Sequence, residues 1–171
     1  AMDKRAVSGQ DILYLLQDMR EFELYGTVRA VVSICDSMNY IMEYQDLVQV
    51  FRLVNNYLDP RGVFIFDLNT EYKYRELLAD NTFAEAREES SFIWENFDDP
   101  EEEINEYDLT VFVREDGDTF RRFTETHFQR GYTVEQMLDL VKRSGMTVVE
   151  VMDADTGEAV TDRSERIYVV A

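Results

Sequence analysis

Apolar and polar positions along the chain change rhythm three times, and each change predicts a different kind of element. Residues 11–16 (DILYLL) and 28–34 (VRAVVSI) are short apolar runs that predict strands. The second run has no polar alternation, the pattern of a strand buried on both faces as in a helix-covered parallel sheet. Over 43–58 the rhythm becomes helical, with Leu47, Val50, Phe51, Val54 and Leu58 on one stripe. Asp59-Pro60-Arg61-Gly62 then predicts a turn, and 63–68 (VFIFDL) a second buried strand. Strands alternating with helices predict a parallel sheet with right-handed crossovers.

After a short helix predicted over 71–78 the period falls to two. Phe92 and Trp94 share one strand face; Tyr107, Leu109, Val111 and Val113 share another. Residues 120–128 form a third strand, joined to the second through Glu115-Asp116-Gly117-Asp118, a strong hairpin signal. An antiparallel insertion in an α/β chain is therefore expected, with 98–103 (DDPEEE) as a solvated acidic loop. Thr133 and Gln136 have the spacing of a capping box opening a helix with Val134, Met137, Leu138 and Val141 on its apolar side, and Gly145 ends it. Strands follow over 147–152 and 165–170, with a polar loop between. Residues 1–8 read as the tail of a helix stopped by Gly9. A domain seldom opens there, so sequence upstream is expected; a frayed terminal helix is the alternative.

Length and composition narrow the class. The 171 residues, 45% of them apolar, suffice for one domain with a core and an insertion. A net charge of -19 disfavours nucleic acid and anionic membranes as partners. No apolar run reaches the roughly 18 residues of a membrane span. A single cysteine, Cys35, excludes an internal disulfide and a cysteine-rich metal site. Read as a packed thiol, it fits a cytoplasmic default. The only histidine, His127, excludes multi-histidine metal chemistry and leaves two roles open: general base or structural hydrogen-bonder. The acidic 98–103 run lacks the alternating ligands and glycine of a calcium loop. No metal site is expected.

The order of motifs resembles the C-terminal portion of a class I S-adenosylmethionine-dependent methyltransferase of the bacterial small-molecule type. Gln17-Asp18-Met19-Arg20 after a strand resembles the loop whose acidic side chain and following backbone N–H meet the adenine. Residues 31–40 (VVSICDSMNY), the helix ending at Leu58-Asp59-Pro60-Arg61-Gly62, and 63–69 (VFIFDLN) resemble the fourth strand, its helix and the fifth strand. Phe128-Gln129-Arg130-Gly131-Tyr132-Thr133 and the closing Arg166–Val170 resemble the last third.

The resemblance implies a Rossmann-like sheet, N-terminally incomplete, formed by residues 1–70 and 128–171. An inserted helix and antiparallel strands over 71–127 would form a substrate lid. It implies S-adenosylmethionine as cofactor, with Asp18, Met19, Cys35, Asp36 and Ser37 around it. Asn39, Tyr40, Asn69, Arg130 and Tyr132 would face a small-molecule acceptor, Asp67 would help to orient it, Phe92, Trp94 and Phe97 could roof the pocket, and His127 would be the base. Bland readings stand beside these: a turn aspartate at 18, a capping asparagine at 39, turn chemistry at 67 and 69, core aromatics at 92 and 94.

One departure from the family matters. The seven glycines contain no glycine-rich cofactor loop, and no acidic ribose ligand is found. In the family order 3-2-1-4-5-7-6, residues 11–16 would lose their neighbour. The strand at 28–34 would then be an exposed edge, open to pairing with a second copy. The alternative from another class is a non-catalytic interaction or dimerisation module.

Overall fold

A computed structural model of the chain describes Gly9 and residues 11–171. The helix tail expected over 1–8 lies outside the described residues.

The sheet is the predicted one, in half. Strand β1 (Val28–Ser33) runs parallel to β2 (Leu58–Asn69). Strand β8 (Arg166–Val170) lies antiparallel on the other side of β2, and β7 (Glu150–Asp153) flanks β8. The order β1-β2-β8-β7 is the 4-5-7-6 half of the expected series. Helix α1 (Tyr44–Tyr57) connects β1 to β2, and α2 (Val134–Arg143) precedes β7. Both helices bury their apolar stripes on one sheet face. Phe51 of α1 meets Phe64 and Phe66 at centroid separations of 5.7 and 5.1 Å. Met137, Leu140 and Val141 of α2 join the same core, with Leu68, Ile167 and Val169. The capping box at Thr133 forms as the spacing requires: its side chain accepts Gln136 N–H while the Gln136 side chain accepts Thr133 N–H.

Two strand expectations change. Residues 11–16 form no ladder, and Leu13 and Leu16 are exposed. Strand β1 is the edge that the family order implies, but it is not buried on both faces. Val31 stands in register with Phe64 and packs on the core, whereas Val32 and Ile34 on the opposite side are 60% and 54% exposed. The Asp59–Gly62 turn forms inside the ladder. Val28 pairs with Leu58 and Ala30 with Val63, so the surplus residues of β2 loop out, with Arg61 at φ 67°. A Cβ on Gly62 would sit 2.9 Å from the Asp59 carbonyl, so glycine fits there.

The inserted strands β3 (Thr82–Ala86), β4 (Ser90–Asp99), β5 (Ile104–Arg114) and β6 (Phe120–Arg130) form a second, wholly antiparallel sheet in sequence order. The short helix before it is a wide turn, Lys73–Leu78, in which Ala79 N–H reaches back five residues to the Tyr74 carbonyl. Register sets one face of this sheet: Trp94 and Asn96 of β4 lie across from Leu109 and Tyr107 of β5, which lie across from Glu125 and His127 of β6. That face meets the end of β1. The acidic stretch is not wholly solvated. Glu103 accepts hydrogen bonds from Arg130 Nη1 at 2.9 Å, the Tyr44 hydroxyl at 2.6 Å and Gln136 Nε2 at 3.2 Å, which pins the base of the insertion to α1 and α2. Among the described residues, no helix is long and apolar enough to cross a membrane.

Candidate active site

The chain turns sharply where β1 ends. Cys35 and Asp36 are consecutive non-glycine residues in the left-handed region, at φ 64° and 51°. Each such residue costs about 1 kcal/mol or more unless the surroundings hold it. Asp67, at the end of β2 and 1% exposed, is what holds them: its carboxylate accepts Cys35 N–H at 3.2 Å and Asp36 N–H at 2.9 Å. Arg166 Nη2 donates to Asp36 at 2.9 Å, and its Nη1 stands 3.5 Å from Asp67. From the insertion, Gln129 Nε2 donates to the other Asp36 oxygen at 2.6 Å, and the Tyr74 hydroxyl donates to Gln129 at 3.1 Å. The loop is thus tied to both sheets.

These bonds redistribute the expected roles. Asp67 is committed to the loop and has no oxygen turned to an acceptor. Asn39, fully buried, bridges the Asn69 and Arg130 carbonyls at 2.9 Å each and accepts Asn69 N–H at 2.9 Å. It is a clamp between the two sheets and does not line a surface. The Asn69 side chain accepts from Lys73 Nζ at 3.0 Å and Arg166 Nε at 3.3 Å; burial holds the Lys73 ammonium below its usual range, and nearby Arg166 adds to that. Arg130 is spent on Glu103 and the Met42 carbonyl, and it stacks on the Tyr44 ring. Tyr132 is fully buried with its hydroxyl on the Ile41 carbonyl. Cys35 is exposed rather than packed, because among the described residues no strand covers that side of β1. Asp36 and Ser37 flank it, Ser37 Oγ donating to the Ile34 carbonyl at 3.0 Å.

Asp18 and Met19 lie at a cleft of about 450 Å³ that Tyr40 also borders, lined further by Gln17, Arg20, Ile41, Met42 and the carboxylates Glu43 and Asp46. The Asp18 carboxylate takes Arg20 in two-pronged fashion, Nε at 3.0 Å and Nη2 at 2.6 Å, and accepts Arg20 N–H at 2.9 Å. The Arg20 side-chain hydrogen bonds pull the carboxyl down to about 2, from an ordinary 3.8. The turn reading of Asp18 is the one these bonds describe: a carboxylate whose two oxygens both hold Arg20, at the rim of the cleft.

A chain of polar groups leads out of the site along the insertion. The Tyr40 hydroxyl, beyond the β1 turn, lies 2.8 Å from the Tyr107 hydroxyl and 3.0 Å from His127 Nδ1. His127 Nε2 lies 3.2 Å from Glu125. A carboxylate only accepts, so Nε2 carries the proton, Nδ1 accepts from Tyr40, and Tyr40 accepts from Tyr107. The Tyr107 ring stacks on His127 at 4.7 Å, and burial pushes its hydroxyl well above the usual tyrosine range. The sequence puts Glu125 beside His127 on one strand face but does not mark Tyr107 as chemistry-bearing. The signal was the period-two alternation that puts Glu125 beside His127 and the hairpin register that puts Tyr107 opposite it.

Comparison with known proteins gives the chain its relatives. No protein-family model matches the chain. It is 36% identical over 169 residues to "Putative methyltransferase YqeM" of Bacillus subtilis (strain 168), an alignment covering 98% of the chain and 68% of that protein. An S-adenosylmethionine-dependent methyltransferase from Clostridium acetobutylicum ATCC 824 superposes with a TM-score of 0.93 at 29% identity, over 99% of the chain and 68% of that structure. The chain belongs to the S-adenosylmethionine-dependent methyltransferases. A second relative, "Putative methyltransferase GWCH70_2453" of Geobacillus sp. (strain WCH70), is 32% identical over 94% of the chain and 65% of its own length. The CcbJ methyltransferase from Streptomyces caelestis shares the fold at TM-score 0.80 and 13% identity, over 98% of the chain and 67% of that structure. The chain spans about two thirds of the length of these relatives.

S-adenosylmethionine is the methyl donor of this family. The residues present fit its adenine end: the ionised Asp18 carboxylate at the rim suits an exocyclic amine, and Met19, Ile41 and Met42 give an apolar wall for a flat ring. The donor set for its phosphate-free sugar and its amino-acid tail is not matched among the described residues.

Proposed function

We propose that the complete protein transfers a methyl group from S-adenosylmethionine to a small-molecule acceptor held between the β1 turn and the β3–β6 sheet. Residues 71–127 act as the acceptor lid. The observation that carries this reading is the Glu125–His127–Tyr40 chain, which ends beside the fixed Cys35–Ser37 turn. When bound, the cofactor supplies an electrophilic sulfonium methyl. The protein's own share is alignment and proton removal. Asp18 and Met19 hold the adenine, and Cys35, Asp36 and Ser37 border the methionyl part. Tyr40 faces the acceptor and hands its proton to His127 Nδ1, and Glu125 holds the resulting imidazolium. CalS10, an amino pentose methyltransferase from Micromonospora echinaspora that acts on a small acceptor, shares the fold at TM-score 0.68 and 17% identity.

The part of the relatives' length that this chain does not span would supply the glycine-rich loop and cover the open β1 edge and the bare face around Val32 and Ile34. That exposed edge also favours the second reading, pairing of two copies. The exposed lone thiol and the acidic charge fit a cytoplasmic protein without nucleic-acid partners.

Calorimetry with S-adenosylmethionine tests the reading. A protein of the relatives' full length should bind clearly, Asp18→Ala should weaken that binding about 10-fold, and this chain alone should bind weakly or not at all. Tight binding by this chain, or an unchanged affinity in Asp18→Ala, would overturn the assigned cofactor site.

A further inference from the structure

The acceptor's chemical class is legible in what lines the lid, granted the methyl-transfer reading. We infer that the face of the β3–β6 sheet turned toward Tyr40 receives an amine. An unbroken row of rings runs along that face: Phe83 lies 5.3 Å from Trp94, Trp94 5.6 Å from Tyr107, and Tyr107 4.7 Å from His127. Tyr40 closes the row edge-on to His127 at 5.8 Å. Ring faces attract ammonium groups, tryptophan and tyrosine most strongly.

The charges nearby point the same way. Glu125 lies on this face, 68% exposed at its side chain, with only one oxygen used by His127. The cations in the neighbourhood are already engaged. Arg166 sits between Asp36 and Asp67, Lys73 donates to Asn69, and Arg130 pairs with Glu103. Among the described residues, an acceptor carrying carboxylate or phosphate would meet Glu125 while Arg166, Lys73 and Arg130 are held by other groups. An alkylammonium meets rings and a carboxylate.

The proton chemistry also fits an amine. An amine arrives as the ammonium, and it attacks only after losing a proton. That proton moves to the Tyr40 oxygen as Tyr40 passes its own to His127 Nδ1. The imidazolium formed keeps its Nε2–H on Glu125, so each group ends with a partner and no proton is left over. A hydroxyl acceptor would ask the same relay for a far harder deprotonation.

Trp94 is the only tryptophan of the chain, so its fluorescence reports this face without interference. Titration with cyclohexylammonium, cyclohexanol and cyclohexanecarboxylate at matched ionic strength separates the classes on one ring shape. Cyclohexylammonium should give a saturable change, bind at least about 10-fold more tightly than cyclohexanol, and leave cyclohexanecarboxylate without effect. Glu125→Gln, a change at an exposed side chain, should weaken the amine about 5-fold and leave cyclohexanol unmoved. A neutral or anionic probe binding as tightly as the amine, no saturable amine response, or no effect of Glu125→Gln would overturn the inference. Failure of cofactor binding in calorimetry, with the amine preference intact, would count against methyl transfer and not against this site.

Discussion

Removing the Asp67 carboxylate should loosen the turn on which the site is built. Asp67 is 1% exposed and accepts two backbone N–H groups, at 3.2 and 2.9 Å, from residues at φ 64° and 51°. Hydrogen bonds to a charged acceptor contribute roughly 1.5–3 kcal/mol each, and the two part-buried donors would lose the side chain that accepts them. Arg166 keeps Asp36 at 2.9 Å, so its charge is not orphaned by the change. Allowing for non-additivity between the two bonds, Asp67→Ala should cost about 3–4 kcal/mol. Asp67→Asn keeps one acceptor oxygen and should cost about half of that. With a urea dependence of about 2 kcal/mol per molar, the unfolding midpoint falls by about 1.5–2 M for alanine and 1 M for asparagine. Hydrogen exchange at the Cys35 and Asp36 amides adds a local readout, because both should lose protection before the sheet does. A midpoint shift under about 0.3 M in Asp67→Ala, with those amides still protected, would refute the claim that Asp67 holds the turn. It would leave Gln129 and Arg166, acting on Asp36, as its anchors.

Two further outcomes follow from other contacts. The Asp18 carboxyl should titrate near 2 in the native protein by side-chain NMR, and Arg20→Ala should return it toward 3.8. A depressed folded pKa means that the contribution of this pair to stability is present above the unfolded value and is lost as pH falls from 3.8 through about 2; a native titration near 3.8 would sink the pairing. Tyr132→Phe removes a buried hydroxyl from the Ile41 carbonyl and should lower stability by about 1–1.5 kcal/mol without moving the Trp94 response to amines; an equal loss of amine binding would restore Tyr132 as an acceptor contact.

What the sequence disclosed depended on whether a pattern was local. The α1 stripe, the Thr133 capping box, the Asp116-Gly117 hairpin and the period-two insertion strands are set by neighbours within a few residues, and all appear in the structure. Strand order followed from the likeness to a family, and β1-β2-β8-β7 agrees with it. Strand β1 is not buried on both faces, for a plain reason. An unbroken apolar run tells what a strand is suited to pack against, and the chain described here places nothing on the Val32 side. The same holds for residues 11–16, apolar enough for a strand but with no ladder partner.

The site divides along a different line. Residue types were read correctly as polar and concentrated at strand ends, but the sequence could not tell which of them face a ligand and which face each other. Asn39, Asn69, Asp67, Arg130 and Tyr132 each bond to at least one group 27 to 97 positions away, and no spacing in the chain announces those partners. They use their polarity to hold the two sheets and the turn together, since a buried donor or acceptor without a partner is costly. What remains turned outward is Asp18 with Met19 at one end and Tyr40 with His127, Glu125 and Trp94 at the other. The buried set makes the outward set usable: Asn39 ties the segment before Tyr40 to both β2 and β6, and β6 carries His127. A relay that spans two sheets keeps hydrogen-bond distances only if those sheets are clamped within a few residues of it, and the Asn39 clamp lies one residue from Tyr40.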